Sequence, residues 1–157
     1  MSEKDSRHLT ETETALAASV FGDAIDYSKV RLHRRKWWPF QPRNVTMSPN
    51  GALWFHPDSS AWCDDFCATP LAMQAHFIHE MTHVWQVQTK GLLWLLMMRH
   101  PFCRYDYEAE PGKAFDRYGV EQQAEIVRHA FLLRREYPVE GKPPRSFYDA
   151  LLPFTMS

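Results

Sequence analysis

The stretch from Thr69 to Gly91 constrains this chain more than any other. Thr69 suits a helix N-cap, Pro70 the first helical position, and Gly91 after Lys90 a stop, so a helix is predicted between them. Leu71, Ile78, Met81, Val84 and Trp85 make its remaining faces apolar, which calls for burial. Into that helix the sequence sets His79-Glu80-Met81-Thr82-His83. Histidines four apart share one helix face, and their imidazoles can chelate a single ion. Glu80 stands beside them, offset enough to reach a metal-bound water instead of the metal. Neutral imidazole nitrogen suits Zn²⁺, and two ligands on one rigid helix lose little entropy when the site assembles. His76, one turn before His79, reads as a supporting or surface residue and not as a ligand.

A catalytic zinc needs a third protein ligand and one open position. A glycine three residues after the second histidine and a third histidine three beyond it would supply the metzincin pattern. Gln86 and Thr89 occupy those places, which excludes that class. A distant carboxylate is the alternative, and Glu121-Gln122-Gln123-Ala124-Glu125 offers two acids at i and i+4. On a bare helix such acids repel each other by a few tenths of a kcal/mol, roughly. Beside a divalent cation both find a use: Glu121 as the third ligand, and Glu125 orienting a ligand histidine through its second ring nitrogen. The exchanged assignment of the two glutamates, or a solvated acidic patch aided by Arg128, is the alternative.

The 157 residues are those of one domain, 1–157, with 45% hydrophobic and 14% aromatic residues to build a core. Residues 1–10 read as a loose polar start. A helix from Thr10 to about Ala24 carries Leu16, Val20 and Phe21 at helical spacing, and residues 26–38 turn strand-like around Val30 and Leu32. Residues 45–47 and 52–55 then form a hairpin about Ser48-Pro49-Asn50-Gly51. After Pro111-Gly112 a long helix is expected from about Lys113 to Glu136, and a short one from Ser146 to Leu152. The fold class is therefore α+β, mainly helical, with a small antiparallel β-sheet or hairpin in the N-terminal half.

Lys+Arg 18 against Asp+Glu 19 leaves a net charge of -1, which does not steer the whole chain toward nucleic acid or membrane. Arg31, His33, Arg34, Arg35 and Lys36 beside Trp37 and Trp38 form a basic, aromatic run of the kind that grips single strands. Its shortness favours a solvated strand face or the rim of a cleft, and no nucleic-acid partner is expected. The apolar run from Gly91 to Met98, ended by Pro101, is too short to cross a bilayer of about 30 Å. It reads as a core helix or a partner interface. No apolar signal segment stands in residues 1–13, so synthesis as a soluble cytoplasmic protein is expected. Cys63, Cys67 and Cys103 read as reduced, partly buried thiols, with a Cys63–Cys67 disulfide as the lesser alternative.

His79-Glu80-x-x-His83 followed by Glu121-x-x-Ala124-Glu125 resembles the gluzincin pattern, with Glu in place of its usual Asp. A longer likeness covers most of the chain: residues 20–33, Phe55-His56-Pro57, residues 79–86 and residues 118–125 together resemble the vgr-related proteins. These are similar to the metallopeptidase toxin domain fused to some VgrG spikes of type VI secretion systems. The resemblance implies a zincin-like fold, Zn²⁺ as cofactor, a peptide or protein substrate, association with secretion-spike proteins and delivery to the periplasm of a target cell. Glu80 is then the general base. Tyr118, expected one turn before Glu121 on the same helix, is a candidate for stabilising the oxyanion, as are Tyr105 and Tyr107 in the preceding loop. A zinc-stabilised module without activity is the competing reading. Glu80 argues against it, since a closed structural site has no use for a base.

Overall fold

The computed structural model describes residues 5–99 and 102–157. Its elements run β1 (Ser6–His8), α1 (Glu11–Phe21), β2 (Arg31–His33), β3 (Leu53–Trp54), α2 (Leu71–Lys90), α3 (Leu92–Met98), α4 (Val120–Arg134) and α5 (Arg145–Leu151). The chain is thus mainly helical with one small sheet, an α+β arrangement.

That sheet differs from the expected hairpin. Its order is β1-β2-β3, with β1 antiparallel to β2 and β2 parallel to β3. Of the hairpin, one antiparallel bridge between Met47 and Trp54 forms. The turn is tightened locally, because Asn50 Oδ1 accepts from the Trp54 indole at 2.9 Å and Gly51 takes φ 82°. Trp54 therefore reaches back to Met47 on one side while β3 lies along β2 on the other. Strand β1 falls inside the start that was read as loose; residues 1–4 of that start lie outside the described residues.

Local chemistry explains the helix starts. Thr10 and Glu13 close a capping box: Glu13 N–H donates to Thr10 Oγ1, and Thr10 N–H to Glu13 Oε2, each at 3.0 Å. Glu13, fully buried, also accepts both terminal nitrogens of Arg7 at 2.8 and 2.9 Å and the backbone N–H of Phe66 at 2.9 Å. One carboxylate thereby ties β1, α1 and the turn before α2 together. Helix α2 begins one residue later than expected, with Pro70 and not Thr69 at the cap position. Pro70 O accepts from Met73 N–H and Gln74 N–H, while the Thr69 hydroxyl donates to Phe66 O. At its far end Gly91, at φ 90°, ends α2 and begins α3.

One core of buried side chains joins α1, β2, β3, α2 and α4. Phe55, Phe66 and Phe77 stack through it with ring centroids 5.9 and 5.0 Å apart, and Ile78, Met81, Val84, Ile126 and Phe131 complete it. Each such side chain stabilises the fold by about 1.5–3 kcal/mol. This packing fixes α2 against α4 at the face where the histidines stand. Of the two readings of the apolar run, core helix or partner interface, α3 does not fit the first: Leu95 alone of its residues is buried, while Leu93 and Met97 are 70% and 73% exposed. Pro101, expected to end that stretch, lies outside the described residues. Cys63, Cys67 and Cys103 are half-buried thiols, none of them in a disulfide.

Helix α4 starts at Val120, seven residues later than expected. Residues 115–117 make a single tight turn, and Tyr118 is extended at φ -81°, ψ 151°. Gly119 N–H donates to Gln122 Oε1 at 2.9 Å and Gly119 O accepts from Gln123 N–H at 2.8 Å, so the first turn is capped there.

Candidate metal centre

Burial of Ile78, Met81 and Val84 turns the opposite side of α2 toward α4, and that side carries His79 and His83. Glu121 enters from the first turn of α4, where a carboxylate is favoured by the helix dipole. All three are buried. Glu121 Oε2 stands 3.2 Å from His79 Nε2 and 3.1 Å from His83 Nε2. The donor atoms of the three residues all lie within 4.8 Å of one another, so one small ion fits among them.

The hydrogen bonds behind the imidazoles determine what faces that point. Gln86 Nε2 donates to Val120 O at 3.0 Å and to Gln123 Oε1 at 2.9 Å, which leaves Gln86 Oε1 as an acceptor. It accepts from His83 Nδ1 at 2.8 Å. On the other ring, Glu125 Oε1 accepts from His79 Nδ1 at 2.9 Å. Both rings therefore hold a proton on Nδ1 and direct Nε2 at the Glu121 carboxylate. Two imidazole lone pairs and a carboxylate oxygen converging on one buried point repel unless a cation or a proton stands between them. Nitrogen and oxygen donors of this kind suit zinc.

The electrostatics agree. Burial would raise the Glu121 carboxyl, but hydrogen bonds from His79 and His83 and the charge of Arg99 hold it well below the carboxylate range. Arg99 Nη2 reaches its second oxygen, Oε1, at 3.1 Å. Burial would lower His79, yet Glu121 and Glu125 hold it up, at about 9. Glu125 is itself anchored, 3.0 Å from Arg128 Nη1 and 3.3 Å from His129 Nε2. Burial keeps His129 down at about 4, so it is neutral, and its Nδ1 meets the Tyr107 hydroxyl at 2.7 Å. Tyr107 in turn meets Tyr148 at 2.7 Å. A chain of polar contacts thus runs from His79 into the core.

Glu80, His79, Glu121 and Glu125 line one open cavity of about 210 Å³, together with His76, Arg99, Tyr105, Arg128 and residues 44–46. The buried Glu80 accepts from the Ser48 hydroxyl at Oε2, 2.5 Å away. His76 bonds to Thr46 Oγ1 at 3.0 Å and sits 4.0 Å from Glu80 Oε1, so it braces the rim. Tyr118 is elsewhere. Its hydroxyl accepts from Glu110 N–H and donates to Glu108 O, and it borders a separate cavity with Lys113 and Gln122. Tyr107 is spent on His129 and Tyr148. Of the three tyrosines, Tyr105 borders the metal cavity, its ring stacked 6.1 Å from that of His79.

Sequence reasoning missed Ser48, Gln86 and Arg99. Gln86 carried a local signal, since a glutamine one turn after a histidine faces it. Ser48 and Arg99 carried none, because each meets its partner only through the tertiary fold.

No family model matches this sequence. The fold is that of an effector domain of a secretion spike. The solved effector domain of Pseudomonas aeruginosa VgrG2b superposes with a TM-score of 0.72 at 35% identity, covering 92% of this chain and 80% of that one. In sequence, the type VI secretion system spike protein VgrG2b of Pseudomonas aeruginosa is 42% identical over 138 residues, 83% of this chain. The chain belongs to the family of the VgrG2b effector domain. It spans 13% of the length of that spike protein.

Proposed function

We propose that this chain is a zinc-dependent peptidase of the gluzincin type on a zincin-like fold, acting as an effector associated with a type VI secretion spike. One observation carries the reading: His79 Nε2, His83 Nε2 and Glu121 Oε2 converge as three electron-pair donors, with Glu80 on the wall of the same cavity. A closed structural site would place a fourth ligand there and would have no use for a base.

His79, His83 and Glu121 would hold the zinc. Bound there, it supplies Lewis acidity, polarising a peptide carbonyl and acidifying water. Glu125 and Gln86 keep the two rings in the tautomer that presents Nε2. The Ser48 hydroxyl occupies Glu80 Oε2 and leaves Oε1 facing the cavity. Glu80 Oε1 then takes a proton from the attacking water and returns it to the leaving amine. Tyr105, next to His79 at the cavity mouth, is the tyrosine placed to donate to a developing oxyanion. Peptide or protein is the substrate class this chemistry serves. The likeness to VgrG2b supports association with spike proteins and delivery by the secretion apparatus; the periplasm of a target cell is the destination proposed with it.

Glu80→Gln tests the reading. Zinc content, measured by elemental analysis, should stay at one per chain while hydrolysis of a denatured protein substrate disappears. Full activity in that variant would sink the mechanism. His79→Ala or His83→Ala should instead lose the zinc.

A further inference from the structure

The net charge of -1 conceals a separation of sign along the chain. Residues 27–57 carry Lys29, Arg31, Arg34, Arg35, Lys36 and Arg43 and no acid; residues 81–105 carry Lys90, Arg99 and Arg104 and again no acid. Half of the 18 Lys and Arg lie in these segments, and none of the 19 Asp and Glu. The same segments hold every exposed large apolar side chain among the described residues except Tyr137. In the first, Trp37, Trp38 and Phe40 stand out, Phe40 77% exposed. In the second, Leu93, Leu96 and Met97 share one face of α3, and Phe102 beyond it is 84% exposed. Both segments border the candidate metal cavity, one through Val45 and the other through Arg99 and Tyr105.

Apolar side chains grouped on a surface mark an interaction site. A basic frame around them selects an anionic partner. We propose that these two segments form a peripheral docking surface for an anionic phospholipid bilayer, seating the cavity mouth against the membrane. The first segment is mainly aromatic and the second mainly aliphatic, through α3, which matches the layers of a bilayer surface. Tryptophan rings rest at the level of the headgroups, and leucine and methionine side chains enter the acyl boundary below them. Of the flanking Lys and Arg, Lys29, Arg43 and Arg99 are paired with Asp26, Asp58 and Glu121, and the others meet the phosphates. Nucleic acid fits less well, because the aliphatic face of α3 offers nothing on which a base can stack. Docking is peripheral: no helix among the described residues is long and apolar enough to cross a membrane. Nothing in this proposal depends on hydrolysis.

Flotation of the full chain with vesicles of phosphatidylethanolamine and phosphatidylglycerol, compared with phosphatidylcholine vesicles, tests it. Binding to the anionic vesicles should be at least ~10-fold tighter and should weaken with salt. The double variants L93E/M97E on α3 and W38E/F40E on the first segment should each lower it by ~10-fold or more. Both alter exposed side chains in separate segments, so misfolding of one, seen by circular dichroism, leaves the other to decide. Binding no better than to phosphatidylcholine, or unchanged in the folded variants, overturns the proposal. Salt-sensitive binding of a single-stranded oligonucleotide without vesicle binding would replace the bilayer by nucleic acid. A sedimenting dimer dispersed by L93E/M97E, again without vesicle binding, would replace it by a second copy of the chain.

Discussion

Gln86 lies one turn after His83 on α2, and its Oε1 accepts from His83 Nδ1 at 2.8 Å while its Nε2 spans to Val120 and Gln123 on α4. The residue that fixes the orientation of one ligand ring therefore also clamps the two helices that bring the ligands together.

Gln86→Leu keeps the volume and removes that acceptor. Zinc affinity should fall by roughly 10- to 100-fold, because the His83 ring loses the bond that sets its tautomer. Competition against a chromogenic chelator measures it. The melting temperature of the metal-free chain should fall as well, since Val120 O and Gln123 Oε1 lose a buried donor at a cost of about 1–3 kcal/mol.

The two glutamates of α4 should separate by measurement. Glu121→Gln removes an electron-pair donor from the convergence point and should abolish tight zinc binding. Glu125→Gln leaves the three donors in place and should cost roughly 10- to 100-fold in affinity, as expected of a residue that orients His79. Equal or reversed losses would exchange the two roles.

The metal-free chain should depend on pH through His79. Its folded pKa of about 9 lies above the ordinary 6.5. Its contribution is thus fully present below pH 6.5 and is lost as pH rises through 9. The size is on the order of 3 kcal/mol, with the ring buried. Glu121, held below the ordinary 4.5, acts in the opposite sense and loses its contribution as pH falls below that value. In thermal melts with a chelator present, stability should decline between pH 6.5 and 9. Added zinc should restore most at the alkaline end, where no proton competes for Nε2.

Glu13→Ala should be the most damaging change outside the site. It strips Arg7 of a bidentate partner, leaves Phe66 N–H unbonded and removes half of the α1 capping box. The expected loss is about 3 kcal/mol, read from chemical denaturation. A loss under about 1 kcal/mol, the value of an exposed ion pair, would show that the carboxylate is not the tie between β1, α1 and the turn before α2.

Much of the ligand-bearing half was legible because its signals are local. The spacing of His79 and His83, the apolar face behind them, Gly91 and the pairing of Glu121 with Glu125 all act within a few turns of helix. A small sheet was legible, but its pairing was not. Its pairing of Leu32 with Leu53 joins distant strands of two and three residues, too short for alternation to declare itself. The start of α4 was misplaced because Lys113 to Arg117 suits a helix as well as a loop. The cap formed by Gly119 and Gln122 decides the matter, and glycine there lacks the side chain that announces a cap. Helix α3 shows the reverse failure. An apolar run implies burial only when something covers it, and among the described residues only Leu95 is covered.

The contact between Arg99 and Glu121 has a further effect. Arg99 occupies Oε1, so Glu121 has one oxygen, Oε2, left to give an ion. A carboxylate restrained in this way would offer an ion one atom and not two, so that His79, His83 and Glu121 would supply three protein donors between them. Arg99 also closes the end of α3, where its N–H donates to Leu95 O at 2.9 Å. The number of oxygens that Glu121 can offer is therefore tied to α3, a largely exposed helix.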